Sequence, residues 1–231
     1  MNRPAIVFDL DGTLIDSAPD IAAAINAVLG ESGRRNLSLP EVRQMVGDGT
    51  QALVSRAFAA VDGAPLAESE LSRHVGTYRV AYEERATRET VPYPGVVETL
   101  RSLYQTGFRL GVCTNKPDRP ARAIIEAFGM APYIGALVGG DAPARKPDGR
   151  HLKATLDLLG AGPQETVMVG DGINDVMVAR ALSVPVVIVT FGYSKTAPES
   201  LGADATIDRF DQLFDALKSL DSAGSVAGNR S

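Results

Sequence analysis

Short apolar, β-branched runs alternate with helical patterns from about residue 92 to about residue 189 of this chain. Runs that are apolar throughout are typical of strands covered on both faces, as in a parallel sheet with crossover helices. Glycines at 107, 129 and 160 lie where helices are expected to end. The predicted strands are 5–8, 108–113, 136–138, 166–169 and 184–189, and the predicted helices are 96–105, 119–128, 151–159 and 175–182.

Residues 17–88 interrupt this alternation and contain no convincing strand. Apolar residues there keep helical spacing, as at Ile21, Ile25, Val28 and Leu29. The sequence therefore predicts an α/β fold, with a Rossmann-like core of five parallel strands, helices on both faces and an inserted small α-helical cap domain. The core is predicted to comprise 1–16 and 89–221 and the cap 17–88. Residues 222–231 lack apolar periodicity and are predicted to be a disordered tail.

Composition and charge limit the partners of this chain. The net charge of -5 argues against nucleic acid or an anionic membrane as the main partner. No apolar run approaches the roughly 20 residues that a membrane helix needs, and the N-terminus lacks a signal-peptide core. The single cysteine, Cys113, is compatible with a reducing compartment. We expect a cytoplasmic protein, monomeric or homodimeric, with Cys113 in a buried strand and with His74 and His151 at the surface.

Polar residues follow several predicted strands at the point where each strand ends. Because ligands bind at the carboxyl ends of strands in an open parallel sheet, these side chains should converge. Crowded carboxylates repel one another unless a cation is present, and oxygen ligands suit Mg²⁺. Lys146 and Thr114 would then remain to bind an anion. The converging residues are Asp9, Asp11, Thr114, Asn115, Lys146, Asp171 and Asp175.

Two motifs invite other interpretations. DLDGTLIDSAPD at 9–20 begins like an EF-hand calcium loop, but its sixth residue is Leu14, its twelfth is Asp20, and a strand-like run precedes it. GDGIND at 170–175 begins like a dinucleotide fingerprint, but Asp175 occupies the place of the third glycine. An acidic side chain there would repel a pyrophosphate. Neither a calcium loop nor a dinucleotide site is predicted.

DLDGT, VCTN, the lysine of RKPDG and GDGIND resemble, in order, the four signatures of the haloacid dehalogenase-like hydrolase superfamily. The helical insertion after the first signature resembles the small α-helical cap of that superfamily. The resemblance covers nearly the whole chain. Within the superfamily, DLDGTLIDS, VGDGT at 46–50 and VCTNKP look most like the sequences of bacterial phosphoglycolate phosphatases.

The resemblance implies a role for each acidic residue. Asp9 would be the nucleophile that forms an aspartyl-phosphate, and Asp11 would be the general acid/base. Mg²⁺ would be held by the Asp9 carboxylate, the backbone carbonyl of Asp11 and the Asp171 carboxylate. Asp175 would orient a metal-bound water or Lys146.

The resemblance also implies a phosphate-binding set. Thr114, the Asn115 backbone amide and Lys146 would bind the transferring phosphoryl oxygens. Gly12 would let the backbone approach the phosphate closely.

The predicted cap should select the substrate, a small phosphorylated metabolite with 2-phosphoglycolate as the first expectation. A carboxylate in the substrate needs a cation or amide donors. The turn at 47–50 has the backbone freedom to reach into a site. The candidate cap cations are Arg43, Arg56, Arg79 and Arg85.

Other functions stay open at this point, including another small-metabolite phosphatase of the superfamily. A β-phosphoglucomutase-like phosphotransferase shares Asp9, Asp11 and the cap, and differs in keeping water from the aspartyl-phosphate. Haloacid dehalogenation needs no metal and no acid two residues after the nucleophile, so Asp11 and Asp171 argue against it. A non-catalytic metal-binding domain is disfavoured because the nucleophile and its acid/base are both present.

Overall fold

The computed structural model describes residues 5–227 and shows helices and strands in the predicted alternation. The strands are β1 (Ala5–Phe8), β2 (Ile15–Asp16), β3 (Val91–Pro92), β4 (Arg109–Cys113), β5 (Ile134–Val138), β6 (Thr166–Gly170), β7 (Val186–Val189) and β8 (Ala205–Ile207). The α-helices are α1 (Ala18–Glu31), α2 (Leu39–Arg43), α3 (Thr50–Asp62), α4 (Glu68–Glu83), α5 (Val96–Gln105), α6 (Asp118–Ala127), α7 (Gly149–Leu159), α8 (Ile173–Arg180) and α9 (Leu213–Ala227).

The central sheet is parallel and has six strands in the order β5-β4-β1-β6-β7-β8. β1 lies in the middle, where Phe8 is in register with Val112 of β4 and Val169 of β6. The predicted Rossmann-like α/β core is therefore confirmed. The prediction of five strands was wrong by one, because β8 has only three residues and gives no readable pattern.

Both faces of the sheet are covered, which explains the uninterrupted apolar runs. Side chains alternate between faces along a strand, so Ile6 and Phe8 of β1 join one buried cluster and Val7 joins the other. α5, α6 and α9 cover the face of Phe8, while α7 and α8 cover the face of Val7. Each fully buried side chain of this size contributes roughly 1.5–3 kcal/mol.

Four helices, α1 to α4, lie between the two linker strands β2 and β3. These linkers pair antiparallel, Ile15 with Pro92 and Asp16 with Val91. Asp20, in the first turn of α1, is fully buried, and its Oδ2 accepts hydrogen bonds from the backbone N–H groups of Glu89 (2.9 Å) and Thr90 (2.8 Å). Asp20 therefore links the start of the helical block, just after the first linker, to the second linker.

Some predictions differ from the structure. α9 continues to Ala227, so 222–227 are helical rather than a disordered tail, and 228–231 lie outside the described residues. His74 and His151 were predicted at the surface, but both are buried. His74 stacks on Phe58 at a centroid distance of 4.3 Å. The helical pattern correctly placed both histidines on helices. It could not show that they face inward, because a polar side chain adds nothing to the apolar pattern that marks a buried face.

Within residues 5–227, no helix combines the length and apolar character that crossing a membrane requires. The cytoplasmic location and the oligomeric state stay predictions.

Candidate active site

Three carboxylates meet where β1 and β6 end. Asp9 directly follows β1, Asp171 directly follows β6, and Asp175 lies in the first turn of α8. All three are buried, and each offers an oxygen within 4.8 Å of the others. The parallel topology produces this cluster, because β1 and β6 are neighbours and end at the same edge of the sheet.

One buried lysine enters the cluster. Lys146 Nζ lies 2.8 Å from Asp9 Oδ1 and 2.7 Å from Asp175 Oδ1, and its side chain is 1% exposed. Asn115 holds the Lys146 backbone in both directions, accepting from its N–H at 2.9 Å and donating to its carbonyl at 3.0 Å. The side chain of Asn115 therefore positions Lys146, whereas the sequence predicted a role only for its backbone amide.

His151 is a second support of Lys146 that the sequence did not reveal. Its Nδ1 accepts from the Lys146 backbone N–H at 3.0 Å, and its Nε2 lies 3.2 Å from the Gly139 carbonyl. Burial and the charge of Lys146 lower the pKa of His151 to about 4, so the ring is neutral at neutral pH. Nδ1 is then the acceptor and Nε2–H the donor.

The crowding changes the charge states of the cluster. Burial raises the pKa of Asp9 to about 6, with Asp175 and Asp11 adding to the rise and Lys146 opposing it. Burial, then Asp175 and Asp9, raise the pKa of Asp171 well above its usual range. Adjacent buried carboxylates cannot all ionise readily without a cation. A cluster of hard oxygen donors that needs positive charge fits a divalent cation that prefers oxygen ligands.

The three carboxylates are not equivalent. Asp175 Oδ2 accepts from the backbone N–H groups of Asp171 and Gly172, both at 3.1 Å, while its Oδ1 meets Lys146. Asp171 Oδ2 accepts from the Tyr193 backbone N–H at 2.6 Å. Asp175 is thus occupied in shaping the loop, and Asp9 and Asp171 are better placed to hold a metal directly.

Gly12 lies against Asp171. Its φ of 83° falls in the left-handed region, and a methyl group there would overlap the Asp171 carboxylate and press on the Tyr193 ring. The sequence predicted that Gly12 lets the backbone approach a phosphate. In the structure the close neighbour is Asp171, so the glycine makes room for the carboxylate cluster.

Asp11 stands apart from this cluster. Its Oδ1 accepts from Lys116 Nζ at 2.7 Å and from the Ser17 hydroxyl. The Lys116 side chain is 3% exposed, and its Nζ lies 4.6 Å from the centre of the Tyr82 ring. Sequence reasoning missed Lys116, although it directly follows Asn115 in the quoted VCTNKP run.

The turn at 47–50 contacts residues that follow β4 and β6, as its backbone freedom suggested. The Gly47 carbonyl accepts from Asn115 Nδ2 at 2.9 Å, and Asp48 Oδ1 accepts from Asn174 Nδ2 at 2.6 Å. Beside these contacts lies an open cavity of about 50 Å³ between the sheet and the helical block. The residues that line it include Asp9, Asp11, Ile21, Val46, Thr50, Leu53, Tyr78, Tyr82, Thr114, Asn115 and Lys116.

The four candidate arginines do not line this cavity. Each pairs with a carboxylate elsewhere. The pairs are Arg43 with Asp16 (2.7 Å), Arg56 with Asp48, Arg79 with Asp141 (3.7 Å) and Arg85 with Asp20 (3.7 Å). Among the described residues that line the cavity, the cation is Lys116, which belongs to the sheet side.

Tyr193 connects the first linker to the carboxylate cluster. Its hydroxyl accepts from the backbone N–H groups of Ser17 (2.8 Å) and Ala18 (3.0 Å) and donates to Asp16 Oδ1 (2.6 Å). Its own backbone N–H binds Asp171. Nothing in the sequence around Tyr193 signals this role, because the contact spans more than 170 residues of chain.

The arrangement is suited to phosphoryl transfer, because the buried Asp9 carboxylate, paired with Lys146, faces a cavity that Lys116 also lines. Comparison with known proteins agrees with this class. The family model for haloacid dehalogenase-like hydrolases matches residues 4–183. The chain belongs to this family.

Similar proteins of the family include named phosphatases. The chain is 43% identical to a phosphoglycolate phosphatase of Caulobacter vibrioides, over 91% of this chain and 89% of that protein. It is 38% identical to one of Agrobacterium fabrum, over 97% of both. A crystal structure of a predicted phosphoglycolate phosphatase from Haemophilus somnus superposes with a TM-score of 0.87 at 30% identity, over 93% of this chain and 98% of that one. The family and these relatives identify the chain as a phosphatase-type enzyme.

Proposed function

We propose that this enzyme is a Mg²⁺-dependent phosphatase that converts 2-phosphoglycolate to glycolate and phosphate. The observation that carries the proposal is the position of Asp9. This buried carboxylate lines the cavity together with Asp11, pairs with Lys146, and lies in one acidic cluster with Asp171 and Asp175. The named phosphoglycolate phosphatases among its relatives support the substrate.

The reaction would run in two displacements. An Asp9 oxygen attacks phosphorus, an O–P bond forms, and the bond to the ester oxygen breaks while Asp11 gives that oxygen a proton. Asp11 then takes a proton from water, which attacks phosphorus and releases phosphate and free Asp9. Thr114, the Asn115 amide and Lys146 hold the phosphoryl oxygens through both steps. Mg²⁺, held by Asp9, Asp171 and the Asp11 carbonyl, supplies charge neutralisation when bound.

We propose residues 17–88 as the cap and 1–16 with 89–221 as the catalytic core. The cap turn at 47–50 contacts Asn115 and Asn174 and lines two adjoining cavities, of about 50 and 160 Å³, that Asp9 and Asp11 also line. Closure of the cap over these cavities would exclude water other than the attacking one.

The test is phosphate release from a panel of small phosphate esters, 2-phosphoglycolate included, with and without Mg²⁺. Asp9→Asn should lower the rate by at least about 10³-fold, since it removes the nucleophile. Asp157→Asn, the same change on the exposed face of α7, is the matched control and should leave the rate unchanged. Full activity of Asp9→Asn would contradict the mechanism. Phosphoryl transfer to a sugar phosphate without phosphate release would favour the mutase alternative.

A further inference from the structure

The cavity contains a buried cation that the mechanism above does not use. Lys116 Nζ is within 2.7 Å of Asp11 Oδ1, and its side chain is 3% exposed. Removing an ammonium group from water is costly unless it has charged or polar partners. Its described partners are one Asp11 oxygen and the face of the Tyr82 ring.

A second observation at the same cavity points to a missing partner. The Tyr82 hydroxyl is buried and has no hydrogen-bond partner among the described residues, although Tyr82 lines the cavity. Buried hydroxyls are almost always hydrogen-bonded, so an unpaired one beside a cavity indicates a site for a bound group. Burial raises the pKa of Tyr82, so the hydroxyl keeps its proton and can donate.

Among the described residues, the cap contributes no cation to the lining of this cavity. Its lining side chains include the apolar Ile21, Val46 and Leu53. The cap arginines pair with carboxylates outside the cavity, as described above. An anionic group on the substrate would therefore find its charged partner in Lys116.

We propose that Lys116 and the Tyr82 hydroxyl form the recognition site for a second anionic group of the substrate, a carboxylate next to the phosphoester. This inference rests on the proposed phosphatase function and names the residues that set its substrate class. A carboxylate accepts a strong charge-assisted hydrogen bond from an ammonium and a further one from a phenol.

The position of Lys116 limits how far this carboxylate lies from the ester oxygen. Lys116 Nζ touches Asp11, and Asp11 must touch the ester oxygen to protonate it. Lys116 and Ser17 both bond Oδ1, which leaves Oδ2 to carry the proton. Two hydrogen-bond lengths and the width of one carboxylate span about 8 Å, so Nζ lies no farther than that from the ester oxygen. The site therefore favours esters that carry a carboxylate within a few bonds of that oxygen, as 2-phosphoglycolate does.

The test compares two esters that differ only in charge at this position, 2-phosphoglycolate and its neutral amide, phosphoglycolamide. The wild type should prefer the carboxylate by about 100-fold in kcat/KM, since the amide leaves Lys116 without its anion. Lys116→Met should lose about 100-fold on 2-phosphoglycolate and less than about threefold on the amide. Tyr82→Phe should lose about tenfold on 2-phosphoglycolate through KM. Lys153→Met, the same change at an exposed lysine of α7, should behave as wild type.

The ratio between the two esters is measured within one variant, so a partly folded variant does not distort it. Equal losses on both esters in Lys116→Met, or a wild type without preference, would overturn the proposal. In the former case Lys116 would serve chemistry common to both esters.

A binding measurement separates this inference from the proposed function. Asp9→Asn should prevent turnover, so it allows binding to be measured by calorimetry in the presence of Mg²⁺. The measurement compares the affinities of the two esters for Asp9→Asn alone and for Asp9→Asn combined with Lys116→Met. If 2-phosphoglycolate binds more tightly than the amide and Lys116→Met abolishes this preference, the result supports the site. This holds even if the wild type hydrolyses neither ester, and in that case only the proposed function fails. Hydrolysis of 2-phosphoglycolate together with equal binding of both esters refutes the site alone.

Discussion

At the scale of single residues, the acidic cluster depends on space left by glycines. Gly12 and Gly192 both lie so close to Asp171 that a Cβ at either would overlap its carboxylate. A larger residue would therefore move a proposed metal ligand as well as strain the backbone. The glycine of the DLDGT motif is required by Asp171, which lies more than 150 residues later in the chain.

Gly12→Ala should consequently lose activity by at least about 100-fold, because small displacements of catalytic groups cost that much. Apparent Mg²⁺ affinity should fall in the same variant. The measurement is phosphate release as a function of Mg²⁺ concentration. Gly63→Ala is the control, since Gly63 also has a positive φ, 75°, but meets nothing within 4 Å. It should cost about 1 kcal/mol of stability and no activity.

His151 gives a prediction on stability at acidic pH. Its folded pKa of about 4 lies below the ordinary 6.5, so the unfolded chain binds more protons between these values. Stability should therefore rise with pH across this window and fall as pH drops from 6.5 towards 4. The lowered pKa corresponds to at most about 3 kcal/mol.

His151→Gln should remove this proton-linked part of the pH dependence. Urea unfolding of both proteins between pH 4 and pH 7.5 gives the two slopes. Carboxylates titrate in both proteins, so the difference between the slopes isolates His151. Identical slopes would mean that folding leaves the pKa of His151 unshifted, against the lowered value that its burial beside Lys146 produces.

At the scale of elements, two ties fix the helical block to the sheet. Asp20 binds the second connection at Glu89 and Thr90, and the Tyr193 hydroxyl binds the first at Ser17 and Ala18. Tyr193 also holds Asp171 through its backbone N–H. The first linker strand and the acidic cluster thus share one residue.

Tyr193→Phe separates the contact with the linker from the contact with Asp171, because it removes the hydroxyl and keeps the backbone N–H. We expect about a tenfold loss in kcat/KM from a less fixed linker, with unchanged Mg²⁺ affinity. Amide hydrogen exchange at 15–18 should become faster. Tyr104→Phe, at an exposed tyrosine of α5, is the control. A large loss of Mg²⁺ affinity in Tyr193→Phe would instead place the hydroxyl in the metal site.

The elements also show what sequence reasoning can and cannot supply. α5 has the predicted bounds, and the ends of α7 and β6 lie within two residues of their predictions, because apolar period and helix-stop glycines are local signals. The convergence of Asp9 and Asp171 could be predicted because parallel strands end at the same edge of the sheet. Lys116 and Tyr193 act through partners distant in the chain, and His151 acts on Lys146, five residues away, through a loop conformation that no local pattern indicates. Nothing local distinguishes such a side chain from one in solvent.

At the scale of the whole molecule, stability and metal binding are linked. Without a metal, the folded state raises the pKa of Asp9 to about 6 and that of Asp171 further above its usual range. Carboxyl groups with raised folded pKa values favour folding most at low pH, and this contribution is lost as pH rises through the folded pKa. The metal-free enzyme therefore carries an unfavourable charge cluster at neutral pH.

Mg²⁺ should offset the unfavourable charge of that cluster, and the stabilisation that it provides should grow with pH. Binding to the folded state alone at 100 times Kd adds about 2.7 kcal/mol, which for a chain of this size raises Tm by roughly 5–10 °C. Below pH 6 protons compete for Asp9, so the increment should shrink at pH 5 relative to pH 7.5. Thermal unfolding with Mg²⁺ and with chelator at both pH values measures it. Asp171→Asn should abolish the increment and Asp157→Asn should keep it, whereas an equal increment at both pH values would show that the cation binds away from these carboxylates.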